Sequence, residues 1–148
     1  MAPQVEKTMR PYALAAEQGK VLGWFDSTVI QKASSRDLGV TELRLKPGEE
    51  PPLHIHEVTD EWFYVLEGEL TCHVGEENLN GKAGAFISMP HGIPHTFSVE
   101  SAEAHFLVLN TPGGFERMFE MAPKTPEEAE RAMKAHGMEV IGPHPRHG

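Results

Sequence analysis

The chain has 148 residues, of which 39% are hydrophobic and 24% are charged, and its formal net charge at pH 7 is −9. These values are typical of a globular protein with a buried core and exclude a disordered chain, so we predict one domain over residues 1–148. The acidic balance argues against a nucleic-acid binder, which needs a basic face opposite phosphate. The apolar runs are too short to cross a membrane, and the N-terminus lacks the apolar core of a signal peptide. Cys72 is the single cysteine, so it has no partner for an internal disulfide bond. We therefore predict a cytoplasmic protein in a reducing compartment.

Short runs of β-forming residues follow a turn-rich lead-in over residues 1–20. Val40 to Leu45 alternates apolar and polar side chains, as a half-buried strand does, and Glu61 to Leu66 is the most β-prone run. A glycine turn at Gly68 reverses the chain into a hairpin. We predict strands over residues 21–26, 27–34, 40–45, 53–56, 61–66, 70–74, 78–79, 85–89, 95–99 and 105–109.

The C-terminal part has helical signals instead. A breaker of proline and glycine over residues 111–114 ends the last predicted strand, and residues 115–121 can form a helical turn. Thr125 is a capping residue followed by Pro126 and two glutamates, so a helix is expected from Pro126 to Ala135 or His136, ending at Gly137. The pattern predicts an all-β sandwich or barrel over about residues 20–112, with a helical extension over about 115–137 packed outside it.

Three potential metal ligands fall within eight residues of one another. His54 and His56 are one residue apart in a predicted strand, so both imidazoles lie on the same face. Glu61 opens the next strand and, if it points inward with Phe63 and Val65, is a buried carboxylate that needs a partner or a metal ion. A half-exposed polar role is the alternative for any one of these side chains. Three together favour a first-row metal site.

A fourth candidate, His95, follows a turn bounded by Pro90 and Pro94. This turn can aim His95 inward toward the first group, and strand alternation would then place Phe97 and Val99 on the same face. The turn composition by itself is weak evidence that His95 is a metal ligand. It becomes stronger evidence only together with His54, His56 and Glu61.

The two segments together resemble the cupin family. Residues 48–68 match the first cupin motif at Gly48, His54, His56, Glu61 and Gly68, and residues 84–95 match the second at Gly84, Pro90, Gly92 and His95. Fifteen residues separate the motifs, as in compact cupins with one jelly-roll domain. Val99 stands where the second motif usually has asparagine, which is not a metal ligand in the family. The resemblance implies a double-stranded β-helix, a jelly-roll barrel, with a short C-terminal helix.

Further stretches are similar to the small bacterial cupins related to quercetin 2,3-dioxygenase. They lie at residues 32–39, 60–68 and 111–116, so the likeness covers about residues 20–120. It implies that His54, His56, Glu61 and His95 hold one divalent transition metal, namely Fe, Mn, Ni, Co, Cu or Zn. It also implies that Glu61 doubles as a catalytic base. Cupins of this size usually form homodimers, and outward-facing Trp62 and Tyr64 are compatible with such a contact.

The resemblance leaves three functions open, because one fold hosts many chemistries. The first is a metal-dependent oxygenase, quercetinase-like, that adds O2 to a phenolic or enolisable small molecule. The second is a non-redox cyclase or isomerase of polyketide or sugar metabolism, with the metal as a Lewis acid. The third is a small-molecule-binding cupin without turnover.

The substrate pocket is predicted from strand alternation. Its candidates are the inward-facing residues Leu43, Leu45, Phe63, Met89, Phe97, Val99 and Leu107. An apolar pocket of this kind favours an aromatic or hydrophobic substrate, although these side chains can equally just fill a small barrel. His105 alternates with Leu107, so it either points inward as a substrate or supporting group or is a satisfied core or surface histidine.

The remaining candidates are expected to have no part in the chemistry. Cys72 is predicted to be a small buried filler, because a free cysteine packs like a small apolar residue. His73 and His91 are expected to be exposed, and His144 and His147 to be solvated in the polar C-terminal tail.

Overall fold

The structure is a computed structural model that describes residues 10–147. Its strands are β1 (Lys20–Trp24), β2 (Ser27–Ser34), β3 (Gly39–Leu45), β4 (Leu53–His56), β5 (Asp60–Glu67), β6 (Glu69–Val74), β7 (Glu77–Lys82), β8 (Phe86–Met89), β9 (His95–Val99), β10 (Ala104–Thr111) and β11 (Met138–Gly142). A 3-10 helix covers Phe115–Met121, and α1 covers Pro126–Ala135. The predicted lead-in falls partly on residues 1–9, which lie outside the described range.

The strands form two antiparallel sheets that enclose the core between them. One sheet has the order β1-β2-β3-β10-β5-β8, and the other has the order β11-β4-β9-β6-β7. Strands distant in sequence lie side by side, such as β3 beside β10 and β4 beside β9. Buried aliphatic and aromatic side chains from both sheets fill the space between them. The predicted jelly-roll barrel with a short C-terminal helix is therefore confirmed.

Side-chain alternation along β5 follows the predicted pattern. Glu61, Phe63 and Val65 are buried, whereas Tyr64 is 40% exposed on the outer face. This pattern is set locally, because successive side chains of a strand point to opposite faces of the sheet.

Strand β11 is missing from the sequence prediction, which ended the last strand at residue 109. Met138 pairs with His56 and Val140 pairs with His54, so β11 adds to the edge of the sheet beside β4. The run of residues 138–142 is short, and only Val140 and Ile141 in it are strong strand formers. It becomes a strand because β4 offers an open row of backbone groups. The consequence is that the strand with two candidate ligands is held on both sides.

The helix begins where its capping residues predict. The Thr125 side chain accepts a hydrogen bond from the Glu128 backbone N–H at 3.1 Å, and Pro126 takes the first helical position. The helix buries Ala129, Ala132 and Met133 against the rest of the protein. Among the described residues, no helix is both long and apolar enough to span a membrane.

Candidate metal centre

The four predicted ligands converge inside the barrel. His54 and His56 come from β4 and His95 comes from β9, where it pairs directly with His54, while Glu61 reaches across from β5 of the other sheet. One potential ligand atom from each of the four lies within 4.8 Å of the others, and all four residues are buried. The site therefore spans the two sheets.

Backbone contacts orient two of the imidazoles. His54 Nδ1 lies 2.8 Å from the Pro52 carbonyl oxygen, and His95 Nδ1 lies 3.1 Å from the Ile93 carbonyl oxygen. With each Nδ1–H donating to its carbonyl, the Nε2 atom of each ring faces the cluster and would offer its lone pair to a bound ion. This is the arrangement in which a protein fixes the tautomer of a metal-binding histidine.

His56 supplies the test of whether a metal fits. Its Nε2 atom is buried and has no hydrogen-bond partner among the described residues, and it lies 3.6 Å from Glu61 Oε1. A buried polar atom without a partner is costly, so such an atom calls for an explanation. Three imidazoles and one carboxylate are a donor set suited to a first-row divalent ion. The four residues fit such a metal.

The electrostatics of the cluster keep His54 and Glu61 available as donors at neutral pH. Burial, together with the neighbouring His95 and His56, lowers the pKa of His54 to about 3, so its ring is neutral. Burial opposes ionisation of Glu61, but the hydrogen bond from His95 and the nearby imidazoles lower its pKa to about 2. Burial also opposes protonation of His95, yet its contact with Glu61 at 3.0 Å raises its pKa above the ordinary value.

A cavity of about 40 Å³ adjoins three of the four ligands. Its lining consists of Trp24, Leu43, Leu45, Pro51, His54, Glu61, Phe63, His95, Phe97, Phe106, Val108, Phe115, Met118, Phe119, Met133 and Met138. Of the predicted pocket residues, the structure thus places Leu43, Leu45, Phe63 and Phe97 at this cavity. Met89 and Val99 are buried in the core but are not part of the lining.

The prediction that Leu107 faces the pocket is wrong. Phe106 and Val108 line the cavity, so strand alternation sends Leu107 and His105 to the outer face of the sheet. The sequence pattern was ambiguous because β10 is in the middle of its sheet and buries residues on both faces. Periodicity alone does not say which face looks into a barrel.

His105 lies on the outer face of the sheet, so it is not a substrate or supporting group of the cavity, and its Nδ1 atom is buried without a hydrogen-bond partner among the described residues. Its Nε2–H donates to Glu42, whose other oxygen lies 3.0 Å from Lys32 Nζ. Burial opposes ionisation of Glu42, but His105 and Lys32 hold the pKa of that carboxyl below its ordinary value. His105 therefore belongs to a partly buried charge cluster away from the candidate ligands.

Sequence reasoning missed the C-terminal side of the cavity. Phe115, Met118 and Phe119 of the 3-10 helix, Met133 of α1 and Met138 of β11 all line it. One signal was available, because residues 115, 118 and 119 follow the i, i+3, i+4 spacing of an apolar helical face that needs a partner. The partner is the open end of the barrel.

The prediction that His144 is solvated is wrong. His144 is 6% exposed, its Nε2–H donates to the Phe97 carbonyl oxygen at 2.8 Å, and its Nδ1 accepts from the Arg146 backbone N–H at 3.0 Å. His144, His147 and Glu50 bring potential ligand atoms within 4.8 Å of one another. Because both ring nitrogens of His144 are already in hydrogen bonds, we interpret this cluster as an anchor for the C-terminal tail.

This interpretation predicts that His144→Ala lowers the free energy of unfolding by about 1–2 kcal/mol, because it leaves the Phe97 carbonyl without this partner. Urea denaturation measures the effect. His147→Ala is the matched control, since the side chain of His147 is 43% exposed and its effect should stay within about 0.5 kcal/mol. Equal losses of unfolding free energy in the two variants would contradict the role of His144 as an anchor for the C-terminal tail.

The other histidines and the cysteine are placed away from the centre. His91 has a side chain 55% exposed that contacts Asp60, as expected. His73 is half-buried rather than exposed, with its ring nitrogens 2.7 Å from Asn78 Oδ1 and 2.8 Å from Ser98 Oγ. Cys72 is fully buried in the core, in agreement with a filler role.

Comparison with known proteins agrees with this geometry. Residues 41–110 match the cupin domain family. Over 128 residues the chain is 23% identical to quercetin 2,3-dioxygenase of Bacillus subtilis (strain 168), an alignment that covers 84% of this chain and 38% of that enzyme. The chain thus spans well under half of that enzyme's length.

The similar solved structures include an RmlC-like cupin and a sugar phosphate isomerase. An RmlC-like cupin from Shewanella frigidimarina NCIMB 400 superimposes with a TM-score of 0.60 at 18% identity, over 70% of this chain and 93% of that one. A sugar phosphate isomerase from the cupin superfamily of Silicibacter pomeroyi DSS-3 superimposes with a TM-score of 0.51 at 27% identity, over 57% of this chain and 59% of that one. The domain match, the two-sheet barrel and the placement of the motif histidines agree: residues 41–110 match a cupin domain, and the chain resembles quercetin 2,3-dioxygenase.

Proposed function

We propose that this protein is a metal-dependent oxygenase that adds O2 to an enolisable or phenolic small molecule. The observation that carries the proposal is the convergence of three buried imidazoles and one carboxylate beside an apolar cavity. The similarity to quercetin 2,3-dioxygenase supports oxygen chemistry as the type of reaction. His54, His56, Glu61 and His95 would hold one divalent ion, which would supply Lewis acidity and one-electron chemistry there.

The chain's own residues have two tasks in this proposal. The apolar wall excludes water, which strengthens every electrostatic interaction inside the cavity. Glu61 lines the cavity and is ionised, so its carboxylate can accept a hydroxyl proton from an enol or phenol. Glu61 would act as a base through a carboxylate oxygen that neither His95 nor the ion engages.

A non-redox isomerase is the alternative, and the 27% identity to the Silicibacter pomeroyi sugar phosphate isomerase favours it. Such an enzyme would use the same ion as a Lewis acid without consuming O2. The cavity offers no support for a phosphate group, because none of the described residues that line it is lysine or arginine.

Oxygen uptake by the metal-loaded protein tests the proposal. Protein loaded in turn with Fe²⁺, Mn²⁺, Ni²⁺ or Co²⁺ is mixed with dicarbonyl or phenolic compounds, with and without air. We expect O2 consumption that matches substrate loss, and we expect His95→Ala to abolish it while the exposed His91→Ala does not. Conversion of a substrate without O2 uptake would favour the isomerase instead. Tight binding of a compound with no product would indicate a cupin without turnover.

The homodimer stays a prediction. Tyr64 and Phe86 pair across β5 and β8, and their rings are 40% and 62% exposed on the outer face of the larger sheet. Exposed apolar side chains that adjoin one another favour a contact with another protein surface. Light scattering of the wild type and of a Phe86→Glu variant would show whether this face joins two copies.

A further inference from the structure

The segment that leads into β4 cannot be held by a backbone ladder. Pro51 and Pro52 stand directly before the strand, and proline has no backbone N–H to donate. Among the described residues, His54 and His95 form the one registered pair between β4 and β9, so the ladder between these two strands is short. The two strands nevertheless carry three of the four candidate ligands. The position of these ligands therefore depends on side-chain contacts as well as on the ladder.

Side chains hold the two proline carbonyl groups of this segment. The Thr96 hydroxyl donates to the Pro51 carbonyl oxygen at 2.7 Å. The Nδ1–H of His54 donates to the next carbonyl oxygen, that of Pro52, at 2.8 Å. Thr96 and the candidate ligand His54 thus hold consecutive peptide groups of the chain.

The ring of Pro52 makes the link between these peptide groups stiff. Each peptide group is planar, and the pyrrolidine ring fixes the φ angle between the two. Only the ψ angle of Pro52 is left free, so a contact that holds the Pro51 carbonyl also restricts the Pro52 carbonyl. With its Nδ1–H bound to that carbonyl, His54 has an Nε2 atom without a proton, which is the form that binds an ion. The contact of Thr96 therefore restricts the ring of His54.

Thr96 lies where it can join two ligand-bearing parts of the chain. It follows the candidate ligand His95 directly in β9 and is fully buried. Pro51 is also buried and lines the cavity beside the centre. A buried hydrogen bond of this kind is costly to break, because the carbonyl left behind has no water to bind. One hydroxyl group therefore connects the strand of one candidate ligand to the segment before another.

Other contacts hold the beginning of the same segment. Trp24 Nε1–H donates to the Glu49 carbonyl oxygen at 2.7 Å, and the Glu50 carboxylate accepts a hydrogen bond from the Val99 backbone N–H at 2.9 Å. These contacts fix the loop at a greater distance along the chain from β4. The contact of Thr96 is different, because it holds the peptide group next to the one that orients a candidate ligand.

We propose that Thr96 is a positioning residue of the metal centre, which holds His54 in the tautomer and orientation that an ion requires. It acts through Pro51 and Pro52 and does not contact the ion. The inference rests on the proposed metal centre, and it holds whichever reaction the ion supports. Removal of a group that only supports a ligand lowers metal affinity roughly 10- to 100-fold. Because Thr96 acts through one further peptide group, we expect a loss of about tenfold.

Zinc affinity and the visible spectrum of the Co²⁺-loaded protein test the inference. Thr96→Val keeps the branched shape of the side chain but removes the hydroxyl group. It should lower the affinity for Zn²⁺ about tenfold, measured in competition with a chelating dye. It should also shift the d–d absorption bands of bound Co²⁺, which report the geometry of the ligands. Thr96→Ser restores the hydroxyl group and should restore both the affinity and the spectrum.

Thr71→Val is the matched control. Thr71 is buried on the neighbouring strand β6, and its hydroxyl group donates to Glu100 at 2.6 Å rather than to the segment before β4. Loss of a buried hydrogen bond should lower the stability of both valine variants. The affinity for Zn²⁺ and the Co²⁺ spectrum should change only in Thr96→Val. Thr96→Ala is a second variant, which removes the same hydroxyl group without placing a methyl group against the Pro51 carbonyl.

A Zn²⁺ affinity and a Co²⁺ spectrum equal to those of the wild type in Thr96→Val and Thr96→Ala would overturn the inference. An equal loss of affinity in Thr71→Val would also overturn it, because the effect would then be general damage to the sheet. Wild-type protein that binds neither ion would overturn the metal centre, and this inference with it. Wild-type protein that binds both ions but consumes no O2 with any redox-active metal would overturn only the proposed oxygenase.

Discussion

Replacing His56 by alanine is expected to strip most of the bound metal at pH 7. His56 Nε2 is buried and has no other partner among the described residues, so its loss removes a donor that nothing nearby replaces. The expected loss of affinity exceeds the roughly 10- to 100-fold that follows removal of a group that only supports a ligand. Elemental analysis of protein purified without added metal measures the occupancy. His54→Ala and His95→Ala should behave in the same way.

The control for this experiment is His91→Ala. His91 lies in the turn just before β9, but its side chain is 55% exposed and contacts Asp60 rather than the cluster. Metal occupancy in this variant should equal that of the wild type. Unchanged occupancy in the His95 variant would refute the four-ligand assignment, and reduced occupancy in the His91 variant would show that the assay reports general damage.

Replacing Glu116 by alanine is expected to lower the free energy of unfolding by about 3 kcal/mol. The substitution leaves the Asn110, Gly114 and Ser34 donors without the carboxylate that they share in a buried place. Glu120→Ala is the matched control in the same helix, because Glu120 has a 42% exposed side chain that pairs with Lys20, and its loss should be below about 0.5 kcal/mol. Urea denaturation of the two variants would contradict this role for Glu116 if the losses were similar.

The contribution of Glu116 to the free energy of unfolding should decrease as the pH falls. Burial would raise the pKa of Glu116, but the hydrogen bonds from Ser34, Asn110 and Gly114 hold it below its ordinary value. The stabilisation is therefore fully present above the pKa of an unfolded glutamate, about 4.3, and is lost as pH falls through the lower folded pKa. The stability difference between wild type and Glu116→Gln should be largest above about pH 5 and should shrink on acidification. A difference that grew on acidification would contradict the assignment.

The local elements of the fold were predictable because their signals are local. Strands β2, β4 and β9 were predicted with their observed bounds, and β5 within a residue at each end, since alternation and flanking turns depend only on neighbours in sequence. Alternation placed Glu61 on one face with Phe63 and Val65, and the structure shows that this face is the buried one. Strand β11 was not predictable, because residues 138–142 become a strand only through pairing with β4.

The side chains of β10 show that local sequence does not determine which face of a strand points inward. His105 and Leu107 alternate correctly with Phe106, yet the assignment of faces was reversed, because β10 buries side chains on both sides. Burial of His105 depends on Glu42 and Lys32, which are far away in sequence. Likewise, the burial of His144 depends on the Phe97 carbonyl, a contact across 47 positions of sequence.

The residues by themselves indicated an all-β sandwich or barrel and three clustered potential metal ligands, His54, His56 and Glu61. The jelly-roll barrel and the set of four ligands with His95 came from the resemblance to the two cupin motifs. Only the tertiary structure decided the size and shape of the space beside them. That space ends at Phe115, Met118, Phe119, Met133 and Met138, which come from elements that follow the barrel strands in sequence and close its open end. A cavity wall is a set of long-range contacts, and no local pattern specifies which distant side chains will meet there.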